Sequence, residues 1–229
     1  MSLRQILLNR MLLPHSPAMD LAIKDSTVQE ADFICPQGFG RNMYSDKNVG
    51  AIVGTARKNA GNDIAAFEWL QLMGFNPGRP NKMLALYCIR LSKKEPSSAC
   101  PVIGQWEVLY AMWLYEPDWY QKYQDIFIPI WPPRVGYLGT RGMMLVVKDI
   151  AGGRNLHAPL LVAHPEHIQR CFFIARKIFG ELVAADYSDG KTGSDWFDEG
   201  SVQRWTRGPN IWIAYEMLVR THHRLQGWM

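Results

Sequence analysis

The segment LLVAHPEHIQRCFFIARKIFG, residues 160–180, joins a continuous apolar run to a stretch with helical periodicity. The run over 158–164 stays apolar up to its final histidine, which is typical of a strand buried on both faces. Pro165 follows at the expected first helical position. The apolar face of this helix is expected to contain Ile168, Cys171, Phe172, Ala175 and Phe179. The segment therefore predicts a buried strand that leads directly into an amphipathic helix.

Similar units occur on both sides of this segment. Strands are predicted within 31–40, 100–104, 125–133 and 182–186, each a short apolar run bounded by turn residues. Helices are predicted over 62–75, 81–94, 104–116, 137–153 and 210–225, from apolar spacing, caps and glycine stops. This alternation predicts an α/β fold: a three-layer Rossmann-like domain with a mostly parallel sheet of about five strands and helices on both faces.

The composition indicates one globular domain over residues 1–229. Apolar residues make up 48% of the chain, and its net charge of +4 is dispersed, which argues against a nucleic-acid partner. The chain has no C-x-x-C pair, and its cysteines lie in apolar segments at Cys35, Cys88, Cys100 and Cys171. We therefore expect four unpaired thiols and a soluble, cytoplasmic protein.

The N-terminal arm, residues 1–30, carries leucines at helical spacing. Arg4 and Arg10 interrupt its apolar run, so we expect neither a signal peptide nor an integral membrane segment. An amphipathic segment that docks on a membrane surface or on a partner is the open alternative for this arm.

The polar residues that follow the 158–164 strand allow three interpretations. His164 and His167 could hold a metal, but no neighbouring Cys or Asp completes a ligand set, so we expect no metal site. Alternatively, a helix N-terminus with Arg170 one turn later could bind phosphate or carboxylate, and for this role we expect Arg170 to be partly exposed. The third interpretation is the ordinary polar start of a helix.

Other strand exits add candidates, because ligands of parallel sheets bind outside the carboxyl ends of the strands. Gly38 and Gly40 would let a ligand approach the backbone, although Q-G-F-G-R lacks a dinucleotide fingerprint. The stretch 48–63 is interpreted as a glycine-bearing basic loop without the G-K-[ST] of a P-loop. A turn is expected at Gly104, and Glu107 would then serve as a general base or complement the helix dipole.

Four stretches resemble, in order, motifs of the YdcF-like and SanA-like family, α/β proteins of largely unassigned biochemistry. They are ADFICPQGFG, VIGQWE, LGTRG and LLVAHPEHIQR, and the likeness covers residues 31 to about 187. The resemblance implies a Rossmann-like sheet, with Thr140 capping a helix and His167 and Arg170 at the family's histidine and arginine. Many members of this family are tethered to the membrane and linked to the bacterial envelope.

The leading functional hypothesis is a site for an anionic or nucleotide-like small molecule, serving a transferase or hydrolase step. Its cofactor is not identifiable from the sequence. The expected catalytic residues are His167 and Glu107, and the expected ligand-binding residues are Gly38, Gly40, Gly104, Thr140, His164 and Arg170. Trp106 or Trp131 could stack on a ligand ring. The alternative is a non-catalytic binding or scaffold protein that presents an aromatic surface to a protein partner.

Overall fold

A five-stranded parallel sheet forms the centre of the molecule. The computed structural model describes residues 31–40, 46–93, 99–133, 138–186 and 196–228. The strands are β1 Phe33–Gln37, β2 Val102–Gln105, β3 Phe127–Ile130, β4 Pro159–Ala163 and β5 Ala184–Asp186, in the spatial order β3-β2-β1-β4-β5. All four neighbouring pairs are parallel. Every residue of β1 and β4 is buried, as the continuous apolar runs predict.

Helices follow the strands in alternation. They are α1 Asp46–Ala60, α2 Asp63–Leu72, α3 Arg79–Ser92, α4 Trp106–Tyr115, α5 Pro117–Lys122, α6 Thr140–Gly152, α7 Ile168–Phe179 and α8 Pro209–Leu225. Short 3-10 turns occupy Gln124–Ile126, Gly180–Leu182 and Arg204–Thr206. The helices predicted over 81–94, 137–153 and 210–225 are confirmed, with ends that differ by a few residues.

The two faces of the sheet support two separate apolar cores, because successive strand residues point to opposite faces. Ile34, Val102 and Val162 lie in the core that packs against α3 and α4. Phe33, Ile103 and Leu161 lie in the core that packs against α6 and α7. The predicted three-layer Rossmann-like architecture is confirmed.

The stretch 48–63 is not the loop that its glycines suggested. Residues 46–60 form α1, and Val53 and Ala56 are fully buried on one face of that helix. Glycine lowers helix propensity by about 1 kcal/mol. Burial of the apolar face against the core outweighs this cost. The helix ends before Gly61, whose φ of +77° favours glycine.

Gly104 does not form a turn either. β2 continues to Gln105, and α4 begins at the next residue, Trp106. A Cβ atom at Gly104 would lie 2.4 Å from Cγ of Pro36 and 2.7 Å from its carbonyl oxygen. The glycine is therefore required for close packing between β2 and β1, and it does not open the sheet to a ligand.

All four cysteines are free thiols in the structure. Cys35, Cys88 and Cys171 are buried and Cys100 is half-buried. Burial raises the pKa of the Cys35 thiol to about 12, so this side chain behaves as an inert apolar group.

The expectations for the N-terminal arm concern residues 1–30, which lie outside the described residues. Within the ranges that the structure describes, no helix combines the length and the apolar character needed to cross a membrane.

Candidate functional site

A cleft opens at the carboxyl edge of the sheet, between the exits of β1 and β4. These two strands are neighbours, but the chain continues from β1 towards β2 and from β4 towards β5, on opposite sides. Such a reversal leaves a crevice beyond the strand ends, the usual ligand position in open α/β sheets. We call it the switch-point cleft, and its volume is about 220 Å³.

The loop after β1 forms the first wall of this cleft through Gly38, Phe39 and Gly40. Two side chains hold the loop in place. The Gly38 N–H donates to Oε1 of Gln105, and the Phe39 N–H donates to Oδ1 of Asn81 at 2.8 Å. The Asn81 amide also donates to the carbonyls of Gly40 and Pro77. The loop backbone is therefore fixed before any ligand arrives.

The turn after β4 forms the second wall. The ring of His164 stacks on Phe39 with a centroid distance of 3.8 Å, and its Nδ1 accepts the N–H of Glu166 at 3.1 Å. Residues 165–167 form a turn, and α7 begins at Ile168 with His167 as its N-cap residue. The expectation that Pro165 is the first helical residue is therefore wrong. His164 lies behind the cleft, packed between aromatic rings.

Arg170 is buried and its guanidinium is held on three sides. Nε donates to both oxygens of Glu216 at 3.0 Å, Nη1 donates to Oγ1 of Thr140 at 3.0 Å, and Nη2 donates to Nδ1 of His167 at 3.1 Å. Only 5% of the residue is exposed, so the prediction that Arg170 is partly exposed is wrong. The cause is α8, which carries Glu216 into this region from 46 residues away in sequence.

A second arginine shares the same carboxylate. Nε of Arg220 donates to Oε1 of Glu216 at 2.9 Å, and its Nη1 donates to Oε1 of Gln169 at 2.8 Å. Both arginines are buried, and so is Glu216. Two positive charges and one negative charge leave this buried cluster with one net positive charge.

His167 is neutral at ordinary pH because it is buried beside these two arginines. Burial lowers its pKa well below the usual value, and the positive charges of Arg170 and Arg220 lower it further. Because a guanidinium can only donate, Nδ1 of His167 acts as the acceptor of this hydrogen bond. The proton of the neutral ring is therefore on Nε2. With the ordinary pKa of histidine, protonation of His167 near pH 6.5 would strengthen anion binding at acidic pH. Because the pKa of His167 is lowered, we do not expect this effect near pH 6.5.

The N-terminus of α6 forms the third wall. The first intrahelical bond runs from the Met143 N–H to the Gly139 carbonyl, so the N–H groups of Thr140, Arg141 and Gly142 have no intrahelical acceptor. Gly139 occupies the N-cap position, which corrects the prediction that Thr140 caps this helix. Thr140 is the first helical residue, and its hydroxyl accepts the hydrogen bond from Arg170.

Arg141 contributes an exposed guanidinium to this wall. Its Cζ lies 3.9 Å from the ring centroid of Trp228, a cation–π contact that orients the side chain. Among the described residues, no carboxylate forms an ion pair with it.

α8 and the turn before it close the cleft with aromatic rings. Trp212 and Tyr215 come from α8, and Trp205 stacks on Tyr215 with a centroid distance of 5.0 Å and an interplanar angle of 14°. Nε1 of Trp212 is buried and has no hydrogen-bond partner among the described residues. His223, one turn of α8 beyond Val219, also lines the cleft, and its pKa is lowered by burial and by Arg170.

The structure brings five of the predicted site residues to this lining, namely Gly38, Gly40, Thr140, His167 and Arg170. His164 supports the lining from behind. Gly104 and Glu107 are not part of it: Gly104 packs on Pro36, and Glu107 is buried in the first turn of α4.

Sequence reasoning missed the residues that hold the site together. Glu216 and Arg220 could have been found from their i,i+4 spacing on a helix that also carries Trp212 and His223 at helical intervals. Asn81 and Gln105 carry no such signal. Each acts on a backbone segment more than 40 residues away in sequence.

Across the described ranges, no group of three or more His, Cys, Asp or Glu side chains is arranged to hold a metal ion. The polar groups of the cleft are mainly hydrogen-bond donors, which suit an anion.

Comparison with protein-family models, with curated proteins and with solved structures finds no match for this chain. The class is therefore defined by the fold and the cleft alone: an α/β protein of Rossmann-like architecture with a basic, aromatic cleft at its topological switch point.

Proposed function

We propose that this protein binds a small anionic molecule in the switch-point cleft. One observation carries the proposal: the described lining contains two arginines and two histidines, and no aspartate or glutamate. A negatively charged ligand would meet the guanidinium of Arg141 and the free N–H groups at the start of α6. Nε2–H of His167 would supply a further donor.

The buried charge cluster supports the same proposal. Its net positive charge lies away from water, where an uncompensated charge is costly and electrostatic interactions are strong. Arg170 itself lines the cleft, and it contacts two further lining residues, Thr140 and His167. An anion bound in the cleft would balance the one positive charge of the cluster that Glu216 does not neutralise.

The geometry favours binding over catalysis. A neutral His167 whose Nδ1 is occupied donates a hydrogen bond but does not readily take up a proton. Glu107, the other catalytic candidate, is not part of the described lining. A transferase or hydrolase step remains a prediction from the sequence, as does the likeness to the YdcF-like and SanA-like family.

Arg141 offers the test, because it is exposed and its replacement should leave the fold intact. We expect millimolar phosphate or sulfate to raise the melting temperature of the wild type relative to chloride at equal ionic strength. Arg141→Met should lose most of this shift. Binding at 100 times the dissociation constant adds about 2.7 kcal/mol to the unfolding free energy, which is a measurable shift.

Arg90→Met is the matched control. Arg90 is also an exposed arginine over an aromatic ring, with Cζ 4.7 Å from the centroid of Tyr87, but it lies on α3 outside the cleft. The control also corrects for the general stabilisation of proteins by sulfate and phosphate. Equal anion-induced shifts in wild type, Arg141→Met and Arg90→Met would show that the cleft is not the binding site.

A further inference from the structure

The cleft combines its basic groups with an aromatic wall, which narrows the class of ligand. Trp205 and Tyr215 stack on each other, and both line the cleft. The Arg204–Thr206 turn that carries Trp205 is held by the Thr206 hydroxyl, which donates at 2.8 Å to the Gln203 carbonyl. Trp205 is therefore a half-buried ring on a supported turn, suited to packing against another planar ring.

Trp212 supplies an independent observation. It is 2% exposed and lines the cleft, and its Nε1–H is buried without a hydrogen-bond partner among the described residues. A buried donor without an acceptor is costly, so native proteins usually satisfy such groups. An oxygen of a bound ligand would provide the missing acceptor after a shift of the indole ring, because almost none of the Nε1 surface is exposed to the cleft in the structure.

The cleft is large enough for a small ligand. Its volume of about 220 Å³ has room for one oxyanion group and one ring.

We propose that the ligand is the phosphate or sulfate monoester of a molecule with a single aromatic ring, an inference that rests on the proposed anion-binding function. The tetrahedral oxyanion lies at the N-terminus of α6, within reach of Arg141 and Nε2–H of His167. The aromatic ring packs against Trp205. Trp212 Nε1–H donates to an oxygen of the same ligand.

Matched pairs of ligands test the contribution of the ring. Dissociation constants of the whole protein are measured by calorimetry for phenyl phosphate against cyclohexyl phosphate, and for phenyl sulfate against cyclohexyl sulfate. We expect the phenyl ester of at least one pair to bind roughly two- to tenfold tighter than its non-aromatic partner, the range that aromatic contacts provide. The pair that shows this preference distinguishes a phosphate ester from a sulfate ester.

Trp205→Leu should abolish the preference, so that the phenyl ester and its non-aromatic partner bind equally, while inorganic phosphate or sulfate still binds. Trp119→Leu is the control: Trp119 is also half-buried against a tyrosine, with a centroid distance of 5.9 Å to Tyr123, but it lies on α5 away from the cleft. It should keep the preference. The wild-type comparison stands even where a variant fails to fold.

The outcomes separate this inference from the function on which it rests. If inorganic anions bind through Arg141 but neither phenyl ester binds tighter than its partner, the proposal of an aromatic monoester is overturned. The proposed anion-binding function then still holds. If no anion binds at all, both proposals are overturned. A phenyl preference that Trp205→Leu retains would overturn the assignment of the ring to Trp205.

Discussion

Two cavities at the carboxyl edge of the sheet each contain an arginine that pairs with a carboxylate outside the lining, in very different surroundings. Arg170 of the switch-point cleft pairs with Glu216, and Arg57 of a second cavity, between α1 and the exit of β3, pairs with Asp63. Side-chain exposure is 6% and 0% for the first pair but 53% and 38% for the second. Water therefore screens the Arg57 pair much more strongly than the Arg170 pair.

The aromatic residues of the two cavities differ in the same way. Trp131, in the second cavity, already donates Nε1–H to Asp63 at 2.8 Å and stacks on Trp106. Trp212, in the cleft, has a buried Nε1–H with no acceptor among the described residues. Burial and incomplete compensation, more than residue type, distinguish the cleft as the candidate binding site.

The largest expected effect comes from removing the shared carboxylate. Glu216→Gln keeps the shape of the side chain but leaves Arg170 and Arg220 buried without a counter-charge. Breaking a buried ion pair typically costs about 3–5 kcal/mol, so we expect a loss of this size in the unfolding free energy, measured by urea denaturation.

Asp63→Asn is the corresponding change in the exposed pair, and it should cost less than about 1 kcal/mol because water screens the charge. If the two substitutions had equal effects on the unfolding free energy, the contrast between the two cavities would be refuted.

A smaller effect is expected for glycines at two strand exits of the same edge. In Gly104→Ala the new Cβ would meet the Pro36 ring and carbonyl below 3.0 Å, so we expect a loss of about 1–3 kcal/mol from overpacking. In Gly38→Ala the nearest atoms, 3.2 Å away, belong to the Asn81 and Gln105 side chains, which can adjust. We therefore expect a smaller loss of stability for Gly38→Ala but weaker anion binding. Denaturation measures the loss of stability of both variants, and calorimetry measures their anion binding. If Gly104→Ala weakened anion binding and Gly38→Ala did not, this expectation would be contradicted.

The last effect is the pH dependence of stability that arises from His167. Its pKa is lower in the folded protein than in the unfolded chain, so below pH 6.5 only the unfolded chain takes up a proton at this position. The unfolding free energy should therefore fall as the pH decreases below about 6.5, by up to about 1.4 kcal/mol per pH unit from this residue. His167→Gln should flatten this slope between pH 6.5 and 5. His223, whose pKa is also lowered, would account for part of the remaining slope. An unchanged slope in the variant would contradict the neutral state assigned to His167.

Local sequence patterns determined most of the fold. Continuous apolar runs such as 158–164 predicted buried parallel strands, and helical spacing predicted α6 and α8 close to their observed limits. These patterns succeed because a strand or helix shows its buried face in the order of its own residues. The error over 48–63 arose because glycine signals a local preference that burial of α1 against the core overrides.

The sequence also placed Gly38, Thr140, His167 and Arg170 near one edge, because the exits of parallel strands meet there. Only the tertiary structure decided what these residues do. It excluded Gly104 from the cleft by packing it on Pro36, and it buried Arg170 against a carboxylate 46 residues away. Burial, net charge and protonation state depend on which distant side chains surround a group. No local pattern in the sequence contains that information.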